Sequence, residues 1–127
     1  MVNNDAKILI VEDDDTLLEM YNIKFKESEL TVITAQDGLA ALELAKKELP
    51  VVILLDVMMP KMDGFAVLTE LQNDPQTKNI PVLMLSNLGQ QDDVSKGKKL
   101  GAADYIVKAS MTPTQVVEKV KAYLVRG

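Results

Sequence analysis

Short apolar runs alternate five times along this chain with longer stretches whose apolar residues recur every three or four positions. The runs predict strands at 6–11, 30–35, 51–55, 80–85 and 104–107, and the stretches that follow them predict helices near 15–27, 37–48, 63–73, 90–99 and 112–125. The third run, Val51-Val52-Ile53-Leu54-Leu55, is apolar without interruption. A strand with one face in water would alternate, so this one reads as buried on both faces, as a central strand of a parallel sheet is. Five βα units of this length imply a doubly wound α/β fold, with helices on both faces of the sheet.

The polar punctuation agrees with that division. Asp37-Gly38 and Asp63-Gly64 stand where helices open, Gly101 follows the end of one, and Thr112-Pro113 supplies a cap with proline at the first helical position. Val116, Val117, Val120 and Leu124 make an apolar stripe at helical spacing, which marks a helix face turned to the core. The stretch 90–99 differs. It has few apolar anchors and contains Gly97, which costs about 1 kcal/mol relative to alanine inside a helix, so a marginal helix is predicted there, solvated or kept loose because it moves. No repeat, linker or low-complexity tract interrupts the chain, which is expected to form one unit over residues 1–127 without an attached output domain.

Composition narrows the chemistry mainly by exclusion. With 127 residues and 47% hydrophobic content the chain can bury a proper core. A net charge of −5 argues against direct nucleic-acid binding, which needs clustered Lys and Arg. No leader or membrane-length apolar run is visible, so a cytoplasmic location without membrane contact is expected. There are no cysteines and no histidines, which removes disulfides, thiolate nucleophiles, Cys-type metal sites and Ser-His hydrolase chemistry.

The candidate chemistry lies at strand ends. Asp56 ends the third apolar run, and open α/β sheets bind ligands beyond the carboxyl ends of their strands. Glu12-Asp13-Asp14-Asp15 follows the first strand; one of these acids suits a helix cap and another the helix dipole, but capping does not account for four. If the first and third strands are neighbours, Glu12, Asp13 and Asp56 converge, and their repulsion must be met by a cation or by raised pKa values. Hard oxygen donors without thiol or imidazole favour Mg²⁺, Mn²⁺ or Ca²⁺. Ser86 ends the fourth strand and Lys108 follows the fifth, placing a hydroxyl and an ammonium on the same rim. Carboxylates suited to a divalent cation, one further carboxylate and two donors for phosphoryl oxygens make a site for moving a phosphoryl group onto an Asp.

These residues resemble those of the receiver domain of bacterial two-component response regulators (CheY-like) over essentially the whole chain. The resemblance rests on Glu12-Asp13, Asp56 within Asp-Val-Met-Met-Pro, Met62-Asp63-Gly64, Ser86, Gly101-Ala102, Asp104-Tyr105 and Lys108. It implies the flavodoxin-like fold with strand order 2-1-3-4-5 and makes Asp56 the phosphoacceptor. By the same resemblance Asp13 ligates Mg²⁺ directly, Glu12 does so largely through water, and the Met58 carbonyl is the third protein ligand. Ser86 takes a phosphoryl oxygen, Lys108 pairs with the Asp56 carboxylate and then with the phosphate, and Tyr105 is the switch aromatic that turns inward when Ser86 moves. The implied partners are a histidine kinase or phosphotransfer protein and an unidentified output partner at the fourth helix, fifth strand and fifth helix. The domain would not be an enzyme acting on other molecules, since it catalyses only its own phosphorylation and dephosphorylation.

The chain departs from the family pattern in three places. Ala109 replaces the proline that usually follows the lysine, which favours a trans peptide and a different aim for Lys108. Asn87 is larger than the side chain the family favours after Ser86, and Met58 and Leu88 are apolar where the family tunes dephosphorylation. Other classes fit less well. A haloacid-dehalogenase-type phosphatase wants Asp-x-Asp, and Asp56-Val57-Met58 lacks the second acid; a flavodoxin phosphate loop would be repelled by residues 12–15. The remaining alternative is a degenerate receiver that serves as an interaction module independent of phosphorylation.

Overall fold

The computed structural model describes residues 6–59, 61–87 and 91–124. The readings that involve Pro60, Leu88 and Gln90 lie outside the described residues, as do those on 1–5 and 125–127. The elements follow in strict alternation: β1 (Lys7–Val11), α1 (Asp15–Glu27), β2 (Thr31–Ala35), α2 (Gly38–Glu48), β3 (Val52–Asp56), α3 (Gly64–Asn73), β4 (Val82–Ser86), α4 (Gln91–Lys99), β5 (Asp104–Val107) and α5 (Pro113–Leu124), with a 3₁₀ turn over Lys108–Ser110. The five strands form one parallel sheet in the order β2-β1-β3-β4-β5. This is the predicted flavodoxin-like arrangement.

Every residue of β3 and β4 is buried, because both strands are covered on two sides. The period of two divides their side chains between two apolar clusters. Leu9, Val11, Ile53, Leu55, Val82 and Met84 pack with α2 and α3 through Ala41, Ala45, Val67, Leu68 and Leu71. Ile8, Ile10, Val52, Leu54, Leu83 and Leu85 pack with α1 and α5 through Tyr21, Phe25, Val116, Val117 and Val120. The stripe expected on the last helix therefore faces the core, with Leu124 partly buried at its end.

Acidic caps start three helices. Asp14, Asp37 and Asp63 accept hydrogen bonds from the backbone N–H of Leu17, Ala40 and Ala66 at 3.1, 2.8 and 2.9 Å. Each such cap contributes about 1 kcal/mol. At α5, Thr112 and Gln115 cap one another reciprocally, the Gln115 N–H reaching Thr112 Oγ1 and the Thr112 N–H reaching Gln115 Oε1.

Close packing bears on Gly64 and Gly97 in different ways. A Cβ on Gly64 would lie 2.3 Å from the Asp56 carbonyl oxygen and 2.8 Å from Val57 Cα, so only glycine lets α3 begin directly behind the end of β3. Its N–H also donates to the Val57 carbonyl at 2.8 Å, fixing the turn that carries Asp56. Gly97 differs. It is buried, and a Cβ there would meet the Tyr105 ring at 3.3 Å, Met84 at 3.6 Å and Phe65 at 3.7 Å. What reads in the sequence as a helix-weakening residue thus seats α4 on β4 and β5. Beside it, the Lys96 ammonium stands 4.7 Å above the centre of the Phe65 ring, an attractive cation–π contact to α3.

The two glycines are expected to respond differently to the same substitution. Gly64→Ala forces backbone apart and should cost about 2–3 kcal/mol in urea unfolding. Gly97→Ala should stay within about 1 kcal/mol of wild type, since the gain in helix propensity offsets a tight contact with flexible side chains. Similar losses for both would show that the contact behind Asp56 is not the stricter constraint.

Candidate functional site

Strand register builds the site one step at a time. Val11 pairs with Leu55, so Glu12 leaves β1 level with Asp56 at the end of β3. Asp56 in turn pairs with Leu85, which puts Ser86 one residue further along β4, and Ser86 pairs with Val107, which puts Lys108 one residue beyond β5. Four polar side chains from four adjacent strands therefore rise along one sheet edge. The edge is closed at its back by the Glu12 N–H, which donates to the Ala35 carbonyl of β2 at 3.1 Å.

Glu12, Asp13 and Asp56 meet as the sequence implied. Each offers a carboxylate oxygen, and these oxygens lie within 4.8 Å of one another. Glu12 and Asp56 are buried, at 0% and 1% exposure, whereas Asp13 is exposed. Lys108 spans the buried pair. Its Nζ is 2.7 Å from Glu12 Oε1 and 3.2 Å from Asp56 Oδ1, and Oδ1 also accepts the Met58 N–H at 3.3 Å. The Lys108–Glu12 contact is the shorter of the two ion pairs, and nothing in the sequence pointed to it. The described residues contain no cis peptide bond, so the Lys108–Ala109 bond is trans as Ala109 predicts, and the chain continues directly into the 3₁₀ turn.

The charges perturb one another strongly. Burial above all, and then Glu12, which is close enough to share a proton and to repel, push the Asp56 carboxyl from the usual 3.8 up to about 7 against the opposing effect of Lys108. Asp13 is raised, first by burial and then by Asp56. Lys108 is raised because its carboxylate partners outweigh the cost of burying the ammonium. Burial, with Glu12 and Asp56 nearby, pushes the Tyr21 phenol of α1 up to about 12. With both acids ionised, Glu12 Oε2 is buried without a hydrogen-bond donor. An orphaned buried carboxylate oxygen beside two further carboxylates, all hard donors, fits a divalent cation such as Mg²⁺.

The remaining predicted residues fall around this centre. Ser86 is fully buried, and its hydroxyl is a hydrogen-bond partner of the Tyr105 phenol, so the two expected switch residues touch. Burial raises the Tyr105 phenol, Ser86 lowers it, and Asp93 of α4 adds a repulsive contribution. Met58 turns its side chain outward, 61% exposed, and only its backbone faces Asp56. Asn87 is exposed beside Ser86. On the far side of β5, Asp104 pairs with Lys119 at 3.2 Å and accepts from the Tyr123 hydroxyl at 3.3 Å, tying the strand to α5.

The raised Asp56 value has a stability consequence. The folded protein holds a proton that the unfolded chain has already released above pH 3.8, so this group favours the fold most at low pH, and its contribution is lost as the pH rises to about 7. In metal-free protein at pH 7.5, Asp56→Asn is therefore expected to raise stability by about 1–2 kcal/mol, or several degrees in Tm, with the gain shrinking toward pH 4 and on adding Mg²⁺. Thermal unfolding in EDTA and in Mg²⁺ across that pH range checks this; a destabilised variant at pH 7.5 would contradict it.

Residues 8–121 match the response regulator receiver domain family. The chain is 42% identical over 103 residues to the response regulator PleD of Caulobacter vibrioides, covering 81% of this chain and 23% of PleD. It is 40% identical over 123 residues to the alkaline phosphatase synthesis transcriptional regulatory protein PhoP of Bacillus subtilis, covering 97% of this chain and 50% of PhoP. It thus spans about a quarter to a half of these curated relatives. Among solved structures, the chemotaxis protein CheY4 of Vibrio cholerae superposes with a TM-score of 0.87 at 32% identity, covering 94% of this chain and 98% of CheY4. The Mn²⁺-bound form of the response regulator Rcp1 does so with a TM-score of 0.82 at 30% identity, covering 94% of each chain. Sheet order, the acids and lysine along one edge, and sequence identity across nearly the whole chain agree, and the protein belongs to the family of response regulator receiver domains of two-component systems.

Proposed function

We propose that Asp56 accepts a phosphoryl group from a histidine kinase or phosphotransfer protein, or from a small donor such as acetyl phosphate. The observation that carries this reading is the placement of Asp56: a nearly buried carboxylate at the end of a central strand, with two acids on one side and an ammonium on Oδ1. These 127 residues include no histidine, so the donor group lies outside this domain. An Asp56 oxygen attacks the phosphorus in line, the new O–P bond forms as the bond from phosphorus to the donor breaks, and the leaving group departs with its electron pair. Lys108, already on Oδ1, neutralises charge on the phosphoryl oxygens, and the Ser86 hydroxyl donates to one of them. Mg²⁺, held by Asp13, Asp56 and the Met58 carbonyl with Glu12 behind them, would supply the positive charge that lets an anionic nucleophile meet an anionic donor. That the similar response regulator Rcp1 was solved in an Mn²⁺-bound form supports a divalent cation for this fold.

The phosphorylated site then acts on the rest of the domain through Ser86. Drawn to the phosphoryl oxygen, Ser86 changes its contact with Tyr105, whose ring lies against Gly97 of α4. A local charge thereby shifts the balance between two arrangements of α4, β5 and α5, the surface offered to an output partner. The chemistry of this domain would be its own phosphorylation and dephosphorylation.

Acetyl phosphate with Mg²⁺ is expected to add a single acid-labile phosphoryl group, seen by mass spectrometry in wild type and absent from Asp56→Asn. Equal modification of the variant would move the acceptor elsewhere, and no modification of wild type by any donor would favour a phosphorylation-independent interaction module. For the switch, Ser86→Ala should still bind beryllofluoride at Asp56 while giving much smaller NMR shifts over residues 93–107. Undiminished shifts would leave Ser86 without a coupling role.

A further inference from the structure

We propose that Glu12 is the positioning residue for Lys108. A lysine ammonium sits on a flexible four-carbon stem and donates in three directions, so its location is decided by its partners rather than by its own geometry. Here the closer partner is Glu12 Oε1 at 2.7 Å, against 3.2 Å to Asp56 Oδ1. Glu12 is also the better anchor. Its side chain is 0% exposed, and its backbone N–H, just beyond β1, is tied to the carbonyl of Ala35 at the end of β2. The segment after Lys108 offers no rigid alternative, since Ala109 and Ser110 are exposed residues of a single 3₁₀ turn.

The two oxygens of Glu12 divide the work. Oε1 holds the ammonium, and the orphaned Oε2 remains for the cation side of the site. Asp56 changes its charge and its bonding when it accepts a group; Glu12 does not. The Glu12 contact therefore persists as a fixed pivot from which Lys108 reaches first the Asp56 carboxylate and then the oxygens of the incoming group. This role is separate from any contact of Glu12 with the metal, and its catalytic part rests on the phosphoacceptor reading given above.

The decisive measurement needs neither metal nor phosphoryl donor. In metal-free protein, the Nζ resonance of Lys108, assigned by its loss in Lys108→Met, is expected in ¹⁵N NMR as a slowly exchanging ammonium. It should persist in Asp56→Asn and be lost in Glu12→Gln. Loss in Asp56→Asn, or persistence in Glu12→Gln, overturns the proposal, and the Asp56→Asn spectrum alone decides it should Glu12→Gln not fold. At saturating Mg²⁺, Glu12→Gln should slow acetyl phosphate uptake about tenfold, and Lys108→Met should cost at least tenfold less in that background than in wild type. Independent, additive losses would mean that Glu12 acts only through the metal. Absence of uptake by wild type would defeat the phosphoacceptor reading and leave the NMR result standing.

Discussion

Two carboxylates buried at the ends of neighbouring strands repel one another, and the Lys108 ammonium is what the protein itself sets between them. One positive charge against Glu12, Asp56 and the nearby Asp13 does not neutralise the group, and burial, joined by the neighbouring Glu12, pushes Asp56 up to about 7 against the pull of its ion pair. The remaining imbalance is a standing affinity for positive charge. A site optimised for stability would place apolar residues here, and the retained repulsion is the kind of local cost that functional sites carry.

The surrounding fold makes that cost tolerable. β3 and β4 are covered on both faces, so the backbone that presents Asp56 and Ser86 has little freedom to move apart in response to the charges. Gly64 tightens the arrangement by letting α3 start against the Asp56 carbonyl, with its N–H on the Val57 carbonyl. The acids are held by rigid strand ends, while Asp13, Met58 and Asn87 lie on the loops that a cation and a donor would approach.

The α4 side of the domain is built more loosely. α4 contributes few apolar side chains and leans on β4 and β5 through the backbone at Gly97, with the Tyr105 ring beneath it and Lys96 over Phe65. Such a seat is shallow. Among the described residues no α4 side chain belongs to either core cluster, so the helix can shift without breaking them, whereas α5 is anchored in the second cluster by Val116, Val117 and Val120 and tied to β5 by the Asp104–Lys119 pair.

The five alternations, the double coverage of β3 and the helix starts at Asp37 and Asp63 were legible along the chain, because strand burial and helix caps are local properties that leave a local pattern. The convergence of Glu12, Asp13 and Asp56 followed conditionally, since it needed β1 and β3 to be neighbours, and that adjacency depends on the order of strands rather than on any one segment. The particular oxygen that each donor reaches was not legible at all. Lys108 lies 96 residues from Glu12, and a flexible side chain between two acids is assigned only by distances that the packed sheet sets. Gly97 shows the same division from the other side: its sequence neighbours describe a helix with a weak point, and only the Tyr105, Met84 and Phe65 side chains brought against it by the fold show that α4 approaches the sheet closely there.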